Sequence, residues 1–162
     1  MSAQAERTPR PLQSHYDRCF GCGRNHPTGL HLQMEATSDT TVRGSFLVTE
    51  HHQGAPGLAH GGVISAAVDE GMGYLLWLVE SPAVTAHLEV DFRRPVPVGS
   101  RLELQARLEG VTGRKIRASL TGWVDGEVVV EARALYLKVD VDHFVQHAQR
   151  MDADMATRPY NP

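Results

Sequence analysis

The chain has 162 residues, of which 41% are hydrophobic and 22% are charged, and its formal net charge at pH 7 is -3. This composition is typical of one globular domain. The slight negative charge disfavours nucleic acid as the main partner, because binding to phosphate requires a basic surface. We predict no membrane partner either, since the longest apolar run, Gly71 to Val79, is far shorter than the ~20 residues of a spanning helix.

The N-terminal residues are polar and contain proline, which predicts a mobile arm over residues 1–18 with no secretory signal. One folded domain is predicted over residues 19–140, followed by a C-terminal tail over 141–162 with a short helix near His143 to Arg150. Two cysteines are too few for a disulfide framework. We therefore expect a cytoplasmic protein with reduced thiols.

Gly29–Ala36 and Thr41–Thr49 are predicted to be the first two strands, and a loop rich in glycine and proline follows them. The next segment, about Gly62 to Val79, is predicted to be a helix with apolar residues on every side. A helix without a polar face belongs in the interior of a protein.

The remainder alternates between apolar and polar residues, as a sheet with one buried face does. In Val84–Phe92 this alternation places Thr85 on the polar face. Three further strands are predicted, with an Asp-Gly hairpin turn before the last of them: Arg101–Glu109, a strand containing Ile116 to Leu120, and Glu127–Val139. Because one helix cannot cover a flat sheet of this size, we infer an α+β domain with a curved antiparallel sheet of about six strands around one long central helix.

The predicted central helix begins at a His-Gly-Gly sequence, His60 to Gly62. The first backbone N–H groups of a helix have no partner within it, and glycine lets a ligand approach them closely. Such a helix start could stabilise a phosphate or the oxyanion of an acyl-transfer reaction. Alternatively, the glycines serve only to turn the chain tightly. His60 could polarise a carbonyl group, or could simply bond to the loop.

Two adjacent carboxylates, Asp69 and Glu70, interrupt the apolar sequence of the helix. A carboxylate in such surroundings is costly without a partner, and it is a candidate general base. The alternative is that it reaches solvent or pairs with an arginine. Gly61 and Asp69 lie eight residues apart, which is about 12 Å along a helix. If both act on one carbonyl group, they must therefore come from two copies of the chain with antiparallel helices.

Two sets of residues give weaker signals. Arg93 and Arg94 at a strand end, with Arg114 and Lys115 at a turn, could bind phosphates, although such cations are more often solvated. Cys19, Cys22, His26 and His31 have a spacing that resembles a zinc site. The gap between Cys22 and His26 is short for a zinc finger, so we favour two buried thiols and predict no metal.

Four stretches together resemble the hotdog-fold acyl-CoA thioesterases, especially the mammalian thioesterase-superfamily members and the bacterial phenylacetate-pathway thioesterases. They extend over roughly Cys19 to Val139 and read "CFGCGRNHPTGLHL", "HGGVISAAVDEGMG", "TAHLEVDFRRPVPVGSRLEL" and "VTGRKIRASL". Each stretch alone is weak evidence. His-Gly-Gly with an acid nine positions after the histidine, followed by a strand that ends in "RRPVPVG", is more specific.

The resemblance implies thioester hydrolysis without metal or bound cofactor, in dimers that often pair into tetramers. It places the catalytic carboxylate on Asp69 rather than Glu70, the oxyanion-binding amide on Gly61 or Gly62, and a helper hydroxyl on Thr85. It also implies that CoA would contact Arg93, Arg94, Arg114 and Lys115. We expect the acyl preference to depend partly on the loop residues His52 and Gln53.

Two alternatives to a thioesterase stay open. A hotdog enoyl-CoA hydratase or dehydratase would use a catalytic histidine, for which His60 is the candidate at the helix start. A non-catalytic acyl-CoA-binding module would need neither Asp69 nor Thr85.

Overall fold

The computed structural model describes residues 8–148, which form one antiparallel sheet and three α-helices. The strands are β1 (Arg10–Pro11), β2 (Gln33–Ala36), β3 (Thr41–Leu47), β4 (Ala83–Phe92), β5 (Arg101–Thr112), β6 (Lys115–Val124) and β7 (Glu127–Lys138). The helices are α1 (Gly61–Gly73), α2 (Leu76–Val79) and α3 (Val141–Ala148), and a 3₁₀ turn spans Glu50–His52.

The seven strands follow the order β1-β2-β3-β5-β6-β7-β4. Each strand from β4 to β7 was predicted from its alternation, and the buried positions show the reason: Leu102, Leu104 and Ala106 of β5 are all at most 1% exposed. Asp125 and Gly126 both have positive φ angles and connect β6 to β7, as an Asp-Gly hairpin turn requires.

The sheet curves around α1. This helix contacts β3, β4, β5, β6 and β7. A helix is about 10 Å wide, whereas five flat strands at ~4.8 Å spacing would extend further than it can reach. The predicted curved sheet around one long helix is therefore confirmed, with Ile64, Ala67, Val68 and Met72 of α1 buried against it.

The combined segment Gly61–Val79 has 19 residues and, by length and composition only, could cross a membrane. In the fold this apolar surface is the one on which the sheet packs. The predicted single helix is interrupted, because α1 ends at Gly73 and α2 begins at Leu76. The chain then leaves α2 through Glu80, whose φ of 52° is left-handed.

The N-terminal segment differs from the predicted arm over residues 1–18. β1 pairs with β2, and the Leu12 N–H donates to the Met34 carbonyl oxygen at 3.0 Å. Residues 10–18 thus pack on the domain, and β1 raises the strand count from six to seven. Residues 1–7 lie outside the described residues, as does the part of the predicted tail beyond residue 148.

Candidate active site

The start of α1 is shaped by His60, which is its N-cap. The His60 Nδ1 atom accepts a hydrogen bond from the Gly62 N–H at 2.9 Å, so a neutral ring carries its proton on Nε2. The Val63 N–H donates to the His60 carbonyl oxygen at 2.9 Å. Within residues 8–148, the exposed Gly61 N–H has no acceptor. The sequence predicted the oxyanion donor at Gly61 or Gly62, with the carbonyl docked near Gly62 beside His60. Because the Gly62 N–H is bonded to His60, Gly61 is the better candidate donor.

Asp69 lies two turns further along α1, half-buried between β4 and β7. Its Oδ1 atom accepts hydrogen bonds from the Thr85 hydroxyl at 3.0 Å and from the Tyr136 hydroxyl at 3.2 Å. The Tyr136 hydroxyl also lies 2.9 Å from the Asp69 carbonyl oxygen. Thr85 and Tyr136 therefore hold Oδ1 in place, and Oδ2 has no partner among the described residues.

Tyr136 is 2% exposed. Burial, reinforced by the neighbouring Asp69 carboxylate, raises the pKa of its phenol well above the ordinary value. The phenol is therefore a permanent donor near neutral pH. We did not predict Tyr136 from the sequence, although its inward position in the alternating strand "EVVVEARALYLK" was a usable signal, because a buried tyrosine hydroxyl normally finds a partner.

Thr85 does not lie on the outer face of β4, as the alternation predicted. A β-bulge separates Thr85, which pairs with Tyr136, from His87, which pairs with Leu135. Residues directly opposite in an antiparallel pair share a face, so Thr85 lies on the same side as the buried Tyr136. The additional residue, Ala86, changes the face of every position before it.

A cavity of about 290 Å³ opens beside Asp69, and Thr85, Tyr136, Leu76 and Trp77 line it together with other residues of α1, α2 and β4. A larger cavity of about 730 Å³ lies over β2 and β3. The larger one contains none of the predicted catalytic residues. The smaller cavity is therefore the candidate active site, because it contains a carboxylate held by two hydroxyl donors.

Gly61 and Asp69 belong to the same straight helix, so the separation of about 12 Å holds. At the Gly61 end of α1, the Phe92 ring would lie 3.6 Å from a Cβ atom on Gly61. At the Asp69 end, Thr85 donates a hydrogen bond to the carboxylate. Phe92 and Thr85 lie near opposite ends of β4. One chain thus places the predicted oxyanion donor near one end of this strand and the predicted base near the other end.

The four predicted CoA-binding cations do not form one patch within the chain. The Arg93 N–H bonds to Val129 at one end of β7, whereas Arg114 and Lys115 lie beside Lys138 and Leu137 at the other end. Nine residues separate Val129 from Lys138, which is about 30 Å along a strand. Spacing along the sequence could not show this, because the hairpin pairing decides which ends meet.

Three of these cations already have partners. The Arg93 Nε atom lies 2.7 Å from Glu131 Oε2, and Arg94 lies 3.1 Å from Glu127 Oε2. The Glu131 carboxylate, followed by Asp91, raises the pKa of the Arg93 guanidinium. Arg114 Nε donates to the Lys138 carbonyl oxygen at 3.1 Å. The Lys115 side chain is exposed.

The two predicted loop residues have structural contacts. His52 is 7% exposed, and burial lowers the pKa of its imidazole. Its Nδ1 atom accepts from the Thr49 N–H at 3.0 Å, and its carbonyl oxygen accepts from the His60 N–H. Gln53 is exposed and accepts from the Gly57 N–H at 2.8 Å. Both residues thus order the loop that leads to His60.

The thiols lie beside Glu70 of α1 and beside His15 rather than beside the predicted histidines. Cys19 Sγ lies 3.4 Å from Glu70 Oε2, and Cys22 Sγ lies 3.2 Å from His15 Nδ1. By contrast, His31 Nδ1 bonds to the Gly23 carbonyl oxygen, and His26 Nδ1 accepts from the Thr28 N–H. The structure therefore replaces His26 and His31 with His15 and Glu70 as the neighbours of the thiols.

Comparisons with known proteins agree with this architecture. Residues 56–131 match the family model of the thioesterase superfamily. Acyl-coenzyme A thioesterase THEM4 of Rattus norvegicus is 34% identical over 94 residues, which are 57% of this chain and 40% of that protein. The chain thus spans less than half the length of this curated relative.

Two solved structures have the same fold. Protein RHA08564, a thioesterase superfamily protein, has a TM-score of 0.61 and 34% identity, over 65% of this chain and 53% of that one. The structure of smu.793 from Streptococcus mutans, bound to acetyl CoA, has a TM-score of 0.63 and 18% identity, over 67% of this chain and 88% of that one. The second likeness supports the fold alone. Residues 56–131 are thus similar to a thioesterase-superfamily domain, and the chain is built as a hotdog fold.

Proposed function

We propose that the protein hydrolyses the thioester bond of an acyl- or aryl-CoA to the free acid and CoA. The observation that carries this proposal is the Asp69 carboxylate, whose Oδ1 atom is held by Thr85 and Tyr136 while Oδ2 remains available beside a cavity of about 290 Å³. A carboxylate oriented in this way can act as a general base or as a nucleophile. The thioesterase THEM4 and the acetyl-CoA complex of smu.793 support the choice of substrate class.

In the proposed reaction, the thioester carbonyl oxygen accepts a hydrogen bond from the Gly61 N–H. Asp69 Oδ2 takes a proton from water, which attacks the carbonyl carbon, or attacks that carbon itself to give an anhydride that water then cleaves. The tetrahedral oxyanion is stabilised by the Gly61 N–H at the positive end of α1. The carbon–sulfur bond breaks, and CoA leaves as a thiolate that takes up a proton. These steps use water and groups of the protein only, so the proposed reaction needs no cofactor.

The donor and the base must come from different subunits, because they lie about 12 Å apart on one helix. We propose a homodimer in which β4 pairs with the β4 of a second copy. In the described chain, this ten-residue strand pairs only with β7, and Phe92 at its end is 55% exposed. An unpaired edge strand and an exposed aromatic ring are features that a dimer interface covers.

A two-fold axis near the centre of β4 would place the Thr85 end of one chain opposite the Phe92 end of its partner. Asp69 would then face the partner's Gly61. The same operation would bring Arg114 and Lys115 of one chain toward the partner's Arg93 and Arg94, which are far apart within one chain. The dimer thereby accounts for the separation of the donor from the base and for that of the two pairs of cations. Pairing of two dimers into a tetramer is the further assembly that the resemblance implies.

The first experiment measures release of free thiol from acyl-CoAs of graded length and from aryl-CoAs. We expect turnover of at least one class, and Asp69→Asn should abolish it. Mass analysis with an enoyl-CoA distinguishes the hydratase alternative, because hydration retains the CoA whereas hydrolysis releases it. If no thioester is cleaved, the proposal is wrong.

The second experiment tests the shared site with Gly61→Pro. Proline lacks the N–H donor but is accepted at the first position of a helix, and the ψ of 133° at His60 suits a residue before proline. Gly61→Ala retains the donor and is the matched control. Chains with Gly61→Pro and chains with Asp69→Asn should each be inactive alone.

When the two variants are mixed and reassociated, hybrid dimers contain one intact site. We expect recovery of about a quarter of the wild-type activity, because random pairing makes about half of the dimers hybrid and each hybrid has one of its two sites. If the mixture stays inactive while the Gly61→Ala chain is active, the donor and the base belong to the same chain, and the dimer proposal is wrong.

A further inference from the structure

A cluster of four side chains lies on the side of α1 next to the proposed base. It contains His15, Cys19, Cys22 and Glu70, and one ligand atom from each lies within 4.8 Å of the others. Nothing in the proposed hydrolysis uses these groups. No other group of three or more such ligands occurs within residues 8–148.

The spacing of the cluster fits a tetrahedral metal ion. Zinc bonds of about 2.3 Å to sulfur and 2.0–2.2 Å to nitrogen or oxygen place neighbouring ligand atoms about 3.4–3.8 Å apart. The observed distances are 3.2 Å between Cys22 Sγ and His15 Nδ1, 3.4 Å between Cys19 Sγ and Glu70 Oε2, and 3.5 Å between His15 Nδ1 and Glu70 Oε1. These three separations are close to the tetrahedral spacing, and all four ligand atoms lie within 4.8 Å of one another.

The charges in the cluster also favour a cation. Three of the four groups, the two thiols and the carboxylate, are anionic when deprotonated. A divalent ion binds the deprotonated forms of such groups and offsets their negative charge.

Neighbouring groups already position the two sulfur atoms. The Gly21 N–H donates to Cys19 Sγ at 3.3 Å, and the Ser14 hydroxyl donates to Cys22 Sγ at 3.3 Å. Such donors orient metal ligands and stabilise thiolates. A Cβ atom on Gly21 would collide with the Glu70 side chain, so glycine at this position allows the loop to approach α1 closely.

We propose that His15, Cys19, Cys22 and Glu70 form a structural zinc site that fastens residues 14–23 to α1 beside Asp69. Four protein ligands leave no open position on the ion, as is usual for structural rather than catalytic zinc. This ligand set differs from the one that the Cys-x-x-Cys spacing indicated, because His15 precedes the cysteines and Glu70 comes from the helix. The proposal does not depend on the thioesterase reaction.

The test is the metal content of the untagged full chain, expressed with zinc and purified with reduced thiols. We expect about one zinc per chain by elemental analysis. Exchange for Co²⁺ should give the visible absorption of a tetrahedral site and a sulfur-to-cobalt charge-transfer band. Removal of zinc with a chelator should lower the Tm by about 5 °C or more, since the ion stabilises only the folded chain.

Variants distinguish this site from adventitious binding. Cys19→Ser and His15→Ala should each lower the zinc content several-fold, whereas His26→Ala and His31→Ala should retain it. Cys19 and His15 are only partly buried, so these variants are expected to fold, and circular dichroism checks that they do. A wild-type chain without zinc would overturn the proposal, as would isolation with a Cys19–Cys22 disulfide or equal zinc binding by all four variants.

Discussion

Asp69 and Glu70 are neighbours on one helix and line the same cavity of about 290 Å³, yet their side chains have different partners. Asp69 lies between two hydroxyl groups, those of Thr85 and Tyr136, which hold one of its oxygen atoms. Glu70 lies against the Cys19 thiol at 3.4 Å and the His15 ring at 3.5 Å. Consecutive residues of a helix point about 100° apart, so one carboxylate faces β4 and β7 and the other faces the N-terminal segment.

This difference shows that the position of a carboxylate on a helix determines its partners, and hence its chemistry, more than its residue type does. The hydroxyl donors around Asp69 come from the sheet and leave one oxygen atom available. The groups around Glu70 are soft or titratable ligands that enclose it. The following predictions test whether the two carboxylates are as separate in function as they are in surroundings.

The largest effect is expected for Asp69→Asn. The amide keeps an oxygen that accepts from Thr85 and Tyr136, so the fold and the zinc content should be unchanged, but the base is lost. Turnover in the thiol-release assay should fall by about 10²–10⁴-fold, the usual contribution of a general base. Near-normal turnover with intact zinc binding would show that Asp69 is not the base.

Glu70→Gln should have the opposite effect: it should weaken zinc binding and leave the base in place. The substitution retains the shape of the side chain and removes one charge from the cluster. We expect the zinc affinity, measured by competition with a chromogenic chelator, to fall by about 10–100-fold, the range found when groups that support a metal site are removed. An unchanged affinity would separate Glu70 from the metal, and Glu89→Gln on the exposed face of β4 is the matched control.

Thr85→Val should have a smaller effect, because it removes one of two hydrogen bonds to Asp69 Oδ1. Loss of about 1–1.5 kcal/mol from the hydrogen bond that orients the carboxylate corresponds to about a 10-fold lower kcat. Thr85→Ser keeps the hydroxyl and should retain most of the rate. Equal losses for the two variants would mean that the methyl group, not the hydroxyl, is what matters.

The smallest effect is expected for His60→Ala, at the other end of α1. It removes the cap on the Gly62 N–H, which costs about 1 kcal/mol of stability and about 2–4 °C in Tm for a chain of this size. His60→Asp restores a capping oxygen and should restore the Tm. A fall in Tm that aspartate does not reverse would rule out capping as the role of His60.

Much of the fold could be predicted from local patterns. The alternation of β5, with Leu102, Leu104 and Ala106 inward, fixes a strand and its buried face within a few residues. The apolar α1 predicts a central helix in the same way. In contrast, β1 has only two residues, and its pairing with β2 depends on a contact that no local pattern records.

The candidate site was predictable only in part, for physical reasons. Asp69 and the helix-start glycines stand out because they conflict with the apolar surroundings. The choice between Gly61 and Gly62 required the position of the His60 ring. Thr85 was expected from the resemblance, but its inward orientation and the second partner, Tyr136, required the pairing of β4 with β7. The four cations show the same limit, since only the hairpin geometry reveals that they lie at opposite ends of the sheet.

The bulge at Ala86 has a consequence for the chemistry at Asp69. If β4 took this residue into an uninterrupted two-residue period instead, Ala83 to Thr85 would turn over while Leu88 and Val90 kept their orientation. The hydroxyl would point into solvent, and the acid would lose a donor although no residue that touches it had been altered. In β4, the face on which each side chain lies therefore determines reactivity as much as the identity of the side chains does.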